Sequence, residues 1–248
     1  RASNGNLPLA AMILRILPQF CALFALTAST GAASVSFSTY TATGPSDTSW
    51  VITTSGAASA NFGGADTTFG GVNWEGSTSN GHPNSETYVS HAGFTISHRS
   101  PTQWAGNSSG FYPANSTVEL LNTGTTAGSG GTINLSGLVV GQNYIAKFIF
   151  VRGFSNTDTV TIDPGTGNTG ALPSTRFGYD DGRYLIVTAT WQADSTEISF
   201  VPKRSGFQAS TLSAAQVVAV PEPSAPSLLG VVLAIGVFRR RRMQVGNR

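Results

Sequence analysis

Three histidines and two glutamates are the residues of this chain that could most directly form a metal site. His82, His91 and His98 lie in one stretch near Glu75 and Glu86. Imidazole nitrogens and carboxylate oxygens are ligands that Zn²⁺ accepts in proteins. Their spacings of nine and seven residues match neither a helical face nor strand alternation, and no cysteine lies nearby. The pattern therefore favours histidines in polar surface loops, and we predict neither a metal nor another cofactor.

Two glycine-rich turns offer oxygen atoms to a harder cation. One runs from Asp163 to Asn168, and the other is Asp180-Asp181-Gly182. Ca²⁺ prefers such oxygen ligands, but neither turn has the spacing or the acidic count of a dedicated calcium loop. Asp-Gly pairs are also ordinary hairpin turns. Calcium binding stays an open alternative.

Hydrolytic chemistry would need a pair of carboxylates, for which Glu75 with Glu86 or Asp66 is the candidate. Glycosidases place two carboxyl groups about 5 to 9.5 Å apart, and a sequence does not fix that distance. The glycine-rich stretch at residues 128–131 has no following lysine for a phosphate loop. We predict that the protein is not an enzyme.

Aromatic residues are the most plausible ligand-binding groups, because binding sites favour aromatic side chains with a few polar neighbours. Trp74, Trp104, Phe111 and Tyr112 lie in polar, loop-like sequence and form a possible carbohydrate-binding set. Trp191 instead alternates with apolar residues along a predicted strand, which indicates a core position. For the four loop aromatics, a small core beneath a long loop is the competing interpretation.

Composition and charge exclude several classes. Only 10% of the 248 residues are charged, so a coiled coil or a long charged helix is excluded. Residues 34–220 hold seven basic and eleven acidic side chains, a net charge of −4. That segment has no basic stripe for phosphates, so we predict no nucleic-acid partner. The single cysteine, Cys21, excludes a disulfide scaffold.

The N-terminal residues 1–33 have the pattern of an upstream extension and a secretory signal. Met12 is the candidate start, Arg15 supplies the positive charge, and a short apolar run spans residues 17–28. Small residues follow, so cleavage is predicted after Ala33. A run of about 12 residues is too short for a permanent membrane span. Export through the Sec machinery would remove Cys21 with the signal.

The last part of the chain, residues 220–248, has three consecutive features. Val220-Pro221-Glu222-Pro223 comes first, an apolar run from Leu228 to Phe238 follows, and four arginines come next. Prolines break strand and helix, the apolar run favours lipid, and arginines remain on the cytoplasmic side. Thirteen residues, 226–238, rise only about 20 Å as a helix, against about 30 Å of hydrocarbon. The pattern indicates a transmembrane helix that serves as a temporary stop.

This tail resembles the PEP-CTERM sorting signal of Gram-negative bacteria that form exopolysaccharide, a segment that is also called an ice-binding protein C-terminal domain. The resemblance implies that a membrane enzyme, the exosortase, recognises and cuts the tail near Pro221, Glu222 and Pro223. It also implies a retention signal made by the arginine cluster, which consists of Arg239, Arg240, Arg241 and Arg242. On this basis the protein is first anchored in the membrane and is then released to the cell surface or the extracellular space.

Residues 34–219 read as one all-β domain, a β-sandwich with one short helix. Short runs rich in β-branched and aromatic residues alternate with Gly, Pro and Asn turns. Ser116 and Glu119 have capping-box spacing, so a short helix is predicted to begin there and to end near Gly124. The predicted strands are residues 34–40, 50–53, 67–74, 88–89, 94–97, 131–135, 144–151, 157–162, 183–191, 197–201 and 214–219.

The segment Leu135-Ser136-Gly137-Leu138-Val139-Val140-Gly141-Gln142-Asn143-Tyr144 carries a second resemblance. It is similar to a link found in jelly-roll domains of the galactose-binding-like and malectin-like type, upstream of such tails. In this interpretation Leu138 fills the sandwich edge, Gly141 makes the turn and Tyr144 starts a core strand. The whole chain is therefore predicted to be an exported, non-enzymatic surface protein. A carbohydrate-binding module that engages exopolysaccharide is the alternative, and a surface glycan hydrolase is a weaker one.

Overall fold

The computed structural model of this chain describes residues 32–62, 64–77, 86–99, 102–105, 119–127, 131–151, 157–177, 182–205 and 210–221. The predicted signal helix and transmembrane helix lie outside these residues. The described part is all-β, as predicted, apart from one helical turn. Its elements are β1 (Ser36–Ala42), β2 (Ala58–Phe62), β3 (Thr67–Phe69), β4 (Val72–Ser77), β5 (Glu86–His91), β6 (Phe94–Arg99), β7 (Thr102–Ala105), α1 (Glu119–Asn122), β8 (Thr123–Ala127), β9 (Ile133–Ser136), β10 (Asn143–Phe150), β11 (Thr159–Asp163), β12 (Leu172–Arg176), β13 (Tyr184–Gln192), β14 (Glu197–Arg204), β15 (Ser210–Leu212) and β16 (Ala214–Ala219).

These strands form two large sheets and one small sheet. The first sheet has the order β1-β13-β10-β16-β2-β4-β3, and the second has the order β12-β11-β14-β9-β6-β5. Three further strands pair as β15-β8-β7. Neighbouring strands within the described ranges run antiparallel except β2 and β4, which are parallel. Two large sheets that face each other across a core are consistent with the predicted β-sandwich.

Side-chain alternation decides which face of each strand is buried. In β14, Ile198 and Phe200 are buried, whereas Glu197 and Lys203 are exposed. Successive side chains of a strand point to opposite faces, so one row enters the core and the other meets solvent. β9 and β11 repeat this pattern, which makes the outer face of the second sheet polar.

The inner core lies between the two large sheets. Phe148 and Trp191 of the first sheet contact Phe200 of the second, with ring centroids 4.9 and 5.6 Å apart. His98 is fully buried here, and its ring lies 5.7 Å from that of Phe62. Burial lowers the pKa of His98 to about 3. Each fully buried large apolar side chain of such a core contributes about 1.5–3 kcal/mol.

A second apolar cluster, the outer cluster, lies on the opposite face of the first sheet. In β13, Tyr184 and Ile186 belong to this cluster, whereas Leu185 and Val187 belong to the inner core. The other large side chains that fill it are Trp50, Phe69, Trp74, Leu120, Leu121, Ile149 and Val151. The first sheet is therefore covered on both faces in this region.

The outer loop, residues 43–57, covers much of this face and is held by side chains. The indole Nε1–H of Trp50 donates to the Asp47 carbonyl at 2.8 Å and to the Tyr184 hydroxyl at 2.9 Å. The amide of Gln216 accepts from the Ile52 N–H at 3.0 Å and donates to the Ile52 carbonyl at 3.1 Å. Lys147 donates to the Trp50 carbonyl, and burial lowers its pKa. Side chains of the first sheet thus replace the strand pairing that the loop lacks.

The start of the outer loop is organised around Asp47. Its carboxylate accepts the Thr43 N–H at 3.0 Å, the Tyr40 hydroxyl at 2.7 Å and the Ser49 hydroxyl at 2.7 Å. The Thr43 N–H, then the Tyr40 hydroxyl, hold the pKa of Asp47 well below its usual range. Burial raises the pKa of Tyr184, which donates to the Asp47 carbonyl.

The start of β1 and the end of β16 lie at the same end of the first sheet. β1 begins at Ser36, opposite Thr190, and β16 ends at Ala219, opposite Tyr144. Tyr144 itself pairs with Trp191. The chain therefore enters and leaves the sheet beside the same end of β10 and β13.

The link between β9 and β10 has the predicted roles. Leu138 is buried in the inner core, and Tyr144 is buried where β10 begins. Gly141 has a φ of +87°, a left-handed conformation that favours glycine. Its N–H donates to the Ala193 carbonyl at 2.7 Å, which joins this turn to the β13–β14 hairpin.

Some predicted elements differ. Residues 50–53 form no strand, because Trp50 and Ile52 serve as anchors of the outer loop. Residues 67–74 form two strands, β3 and β4, which a turn at Gly70 and Gly71 separates. Of the predicted short helix, residues 119–122 form the single turn α1, with Leu120 and Leu121 in the outer cluster. Its predicted start at Ser116 lies outside the described residues.

Candidate functional site

A polar cleft on the outer face of the second sheet is the best candidate binding site among the described residues. It has a volume of about 510 Å³. The turn at residues 165–168, the hairpin residues Asp194 and Ser195, and the start of β14 line it. A cleft of this size falls within the range of small-ligand sites.

Two backbone features position the cleft walls. Ser199 projects outward from β14 because Ile198 and Phe200 face the inner core. The turn after β11 lies directly against this strand: a Cβ on Gly165 would be 2.9 Å from the Ser199 carbonyl oxygen, and the φ of Gly165 is +78°. The Asn168 side chain donates to the Pro164 carbonyl at 2.8 Å and closes the turn. The cleft therefore has a fixed wall.

The groups that line the cleft are hydroxyls, an amide and carboxylates. Glu197 is exposed, and the Ser199 hydroxyl donates to the Asn134 side-chain oxygen at 2.7 Å. Asp194 accepts the Ala33 N–H at 2.9 Å. No aromatic side chain lines the cleft in the part of the chain that the structure describes. Such a surface can exchange hydrogen bonds with a polyhydroxylated or cationic ligand.

Trp74 corrects the predicted carbohydrate-binding set. Its side chain is 0% exposed, and it lies in the outer cluster beside Trp50, with ring centroids 5.9 Å apart. Its indole N–H donates to the Phe69 carbonyl at 3.1 Å. Trp74 is therefore a core residue and has no ring face open to a sugar. The glycines and asparagine around it in the sequence form the β3–β4 hairpin.

The structure does not place the other three predicted aromatic residues, Trp104, Phe111 and Tyr112, at the cleft. Trp104 lies on β7, with its backbone opposite Gly124 of β8. Phe111 and Tyr112 lie outside the described residues. A ligand-binding role for these three stays a prediction. Trp191, predicted to be a core residue, is buried in the inner core as expected.

The histidines are separated rather than clustered. His98 is buried in the inner core, so the prediction of a surface position is wrong for this residue. His91 is largely exposed, and its Nδ1 contacts the Glu75 carboxylate. His82 lies outside the described residues. Across the described ranges, no group of three or more potential metal-ligating side chains comes together.

The predicted calcium turns are occupied by other interactions where they are described. Asp163 pairs with Lys203 at 3.1 Å, and both side chains are about half exposed. Asn168 is bonded to its own turn. Asp180 and Asp181 lie outside the described residues, and Gly182 alone is described in that turn.

The carboxylates considered for hydrolysis have structural partners. Glu75 pairs with His91, and Asp66 accepts the Gly76 N–H at 2.8 Å. The backbone of Glu86 is at the start of β5, opposite Arg99. The described atoms therefore assemble no pair of free carboxylates from this set.

Val220 and Pro221, at the beginning of the predicted sorting segment, are the last residues that the structure describes. The Val220 N–H donates to the Asn143 carbonyl at 2.8 Å, and Gln142 donates to the Val220 carbonyl. Pro221 is exposed. Glu222, Pro223 and the arginines at 239–242 lie outside the described residues. No helix in the described ranges is long and apolar enough to span a bilayer.

Sequence reasoning did not single out the cleft residues Asp194, Glu197 and Ser199. The available signal was the polar Asp194-Ser195-Thr196-Glu197 turn between two strongly alternating strands. Such a turn is an ordinary hairpin, so only its contact with the distant turn at 165–168 gives it a possible role.

Comparison with known proteins gives no family. No protein-family model matches the chain, and no curated protein matches it. Among solved structures, it is similar to a β-glucuronidase of Bacteroides uniformis, at 12% identity and a TM-score of 0.45 over 66% of this chain. The ANX2 ectodomain of Arabidopsis thaliana matches at 15% identity and a TM-score of 0.43 over 67%. This chain spans 18% of the first protein and 50% of the second. The function proposed below therefore depends on this chain's own residues.

Proposed function

We propose that this protein is a non-enzymatic, exported β-sandwich, jelly-roll-like in type, that an exosortase delivers to the cell surface or extracellular space by processing its C-terminal tail. One structural observation supports the proposal most. Among the described residues, Val220 makes the last hydrogen bonds, and Pro221, which begins the Pro-Glu-Pro segment, is exposed directly after them. The exposure of Pro221 supports the proposal, because a processing enzyme could reach this residue without displacing a core side chain.

The net charge supports the same assignment. Residues 34–220 carry −4, while the arginine cluster at 239–242 carries the positive charge of the tail. Arginines in this position hold the tail on the cytoplasmic side until it is cut. A net charge of −4 does not favour binding of the domain to an anionic membrane or to nucleic acid.

Deletion of residues 221–248 tests the sorting role. We expect the full chain to reach the surface or the medium in a host that carries an exosortase. We expect the deleted chain to accumulate in the periplasm, because nothing directs it further. Fractionation with an antibody against the domain measures this distribution.

A matched variant separates the sorting motif from the mere presence of a tail. Glu222→Ala keeps the apolar run and the arginines, and we expect the unprocessed, membrane-bound chain to accumulate. Pro226→Ala, outside the Pro-Glu-Pro segment, serves as the control. Unchanged location of both the deletion and Glu222→Ala would contradict the proposal.

A second function, binding of extracellular polysaccharide, is favoured by the cleft on the second sheet. Its hydroxyl, amide and carboxylate groups are suited to sugar hydroxyls, and the turn at 165–168 fixes one wall. Within the part of the chain that the structure describes, the cleft contains none of the predicted carbohydrate-binding aromatic residues. Of that set, Trp74 is buried in the outer cluster.

Pull-down of the purified protein on a panel of polysaccharides tests this second function. We expect the double variant Glu197→Gln with Ser199→Ala to weaken binding about tenfold, which corresponds to about 1.4 kcal/mol. Lys203→Gln, on the same strand but outside the cleft, should bind as the unmodified protein does. If Trp104→Ala abolishes binding and the cleft variant does not, the ligand lies near β7 instead.

A further inference from the structure

Ala33, the second residue that the structure describes, is attached to the folded domain. Ala33 is only 5% exposed and belongs to the inner core, whereas Ala32 is exposed. The Ala33 N–H donates to Asp194 Oδ2 at 2.9 Å, and the Ala33 carbonyl accepts the Thr169 N–H at 3.0 Å. The side chain of Ala33 thus packs in the inner core, and its N–H and carbonyl both form hydrogen bonds with the domain.

Neighbouring residues continue this attachment. The Val35 N–H donates to the Thr169 carbonyl at 2.9 Å, and Ser34 forms a parallel bridge with Thr169. Val35 is buried in the inner core as well. The segment 33–35 is therefore a short strand-like lead into β1, and Ala33 is its first member.

We propose that export processing cuts the peptide bond between Ala32 and Ala33, so that the mature protein begins at Ala33 with its α-ammonium group against the Asp194 carboxylate. This proposal depends on the export proposed above. It moves the cleavage site one residue upstream of the position that the sequence pattern predicts, which is after Ala33.

The chemistry of the cut fits the contacts of Ala33. Hydrolysis adds the water oxygen to the Ala32 carbonyl carbon, and the released amine of Ala33 takes up a proton. The nitrogen that donates to Asp194 becomes an ammonium group facing a carboxylate, and charge-assisted bonds of this kind are stronger than neutral ones. Thr30-Gly31-Ala32 supplies the small residues that a signal cleavage site requires.

A cut after Ala33 would instead remove contacts that the fold uses. The Ala33 methyl group would leave the inner core, and the Thr169 N–H and Asp194 would lose their present partners. The enzyme would act while the chain emerges from the membrane, so burial of Ala33 in the folded domain does not hinder the cut.

The first test identifies the mature N terminus directly. The full chain is expressed with its own N-terminal region in a Gram-negative host, and the exported protein is recovered for intact mass measurement and N-terminal sequencing. We expect Ala33 as the first residue. An exported protein that begins at Ser34, or that keeps any residue before Ala33, would overturn the proposal and leave export standing. A chain retained whole in the cytosol would overturn both.

The second test examines the contact with Asp194. In the exported protein we expect Asp194→Asn to lower the Tm by about 2–4 °C, the shift that about 1 kcal/mol gives in a domain of this size. Asp163→Asn, another exposed carboxylate, is the matched control and should shift the Tm by less. Acetylation of the α-amine should lower the Tm of the unmodified protein and leave that of Asp194→Asn unchanged. Equal effects of acetylation on both proteins would overturn the ammonium contact.

Discussion

The inner core and the outer cluster lie on opposite faces of the first sheet, but different elements cover them and shield them from solvent. The inner core is formed by strands of two sheets, and ring contacts such as Phe148 with Phe200 join them. The outer cluster is closed largely by the outer loop, through Trp50 and the amide of Gln216. The difference shows that aromatic residues in glycine-rich sequence can complete a second core layer, as Trp50 and Trp74 do here.

The comparison also predicts different responses to damage. Loss of an inner-core side chain affects both large sheets, whereas loss of an outer anchor affects one loop first. Four experiments examine this difference, from the largest expected effect to the smallest.

Phe148→Ala should give the largest effect. Phe148 is fully buried between the sheets, and Phe-to-Ala changes in cores cost about 3–5 kcal/mol of unfolding free energy. Urea denaturation measures this cost. Val139→Ala, at a side chain that is 65% exposed, is the control and should stay within about 0.5 kcal/mol. A cost below about 1.5 kcal/mol for Phe148→Ala would mean that this site is not a packed core.

His98 should make the inner core sensitive to mild acid. Its folded pKa of about 3 lies below the ordinary value of 6.5, so below pH 6.5 the unfolded chain binds more protons and the folded state loses stability. At pH 5 the loss is about 2 kcal/mol relative to pH 7, since each pH unit is worth about 1.36 kcal/mol. Urea unfolding at pH 7, 6 and 5 measures this slope.

Two histidine variants decide whether that slope belongs to the inner core. His98→Leu should remove most of it, because the buried imidazole that gains a proton on unfolding is then absent. His91→Gln, at a largely exposed side chain that contacts Glu75, should keep this slope. A slope that persists in His98→Leu would assign the acid sensitivity to other groups.

Gln216→Ala should release the outer loop without unfolding the domain. The variant removes two hydrogen bonds to Ile52 and one to Ser59, and leaving such groups unpaired costs about 1–3 kcal/mol. We expect faster hydrogen exchange at residues 50–57 and unchanged exchange in β10 and β13. Gln192→Ala, at an exposed side chain that donates to Gly141, should leave the outer loop protected. Equal acceleration in β10 would show that the two regions unfold together.

Asp47→Asn should cause the smallest loss of folding stability, and this loss should depend on pH. The folded pKa of Asp47 is lowered, so its contribution is present above the unfolded value of about 3.9 and is lost as the pH falls below that value. Because the carboxylate is largely exposed to solvent, we expect about 1 kcal/mol or less. Thermal unfolding of the two proteins should differ at pH 6, and the difference should shrink progressively as the pH falls below about 3.9. A difference that persists at low pH would contradict the assignment.

The sequence was most informative where strands alternate strongly. β10, β13 and β16 were predicted to within two residues, because β-branched and aromatic residues dominate them and turns bound them. β2 was missed, since Ala58-Ser59-Ala60-Asn61-Phe62 has small and polar residues and yet is buried throughout. Its burial comes from lying between β16 and β4, which is a tertiary effect that local propensity does not carry.

The site residues show a similar division. The link with Leu138, Gly141 and Tyr144 was predicted correctly, because each role is local to a turn and the strand after it. Trp74 was assigned to a ligand because its neighbours are polar, but it is buried against Trp50 of the outer loop and Phe69 of the neighbouring strand. The cleft depends on contact between two turns far apart in the chain, and no single segment predicts that contact.

The entry and exit of the first sheet beside one end of β10 and β13 have a mechanical consequence. From β1 to β16 the sheet spans three strand spacings, about 14 Å. A pull that separates Ser36 from Ala219 acts along the hydrogen-bond direction of the antiparallel strands, so bonds are loaded in succession from that end. Under a force applied between Ser36 and Ala219, these hydrogen bonds would break one after another, so the strands would separate at low force. A pull along the strand axes, between opposite ends of neighbouring strands, would load several of these bonds at once and would meet more resistance.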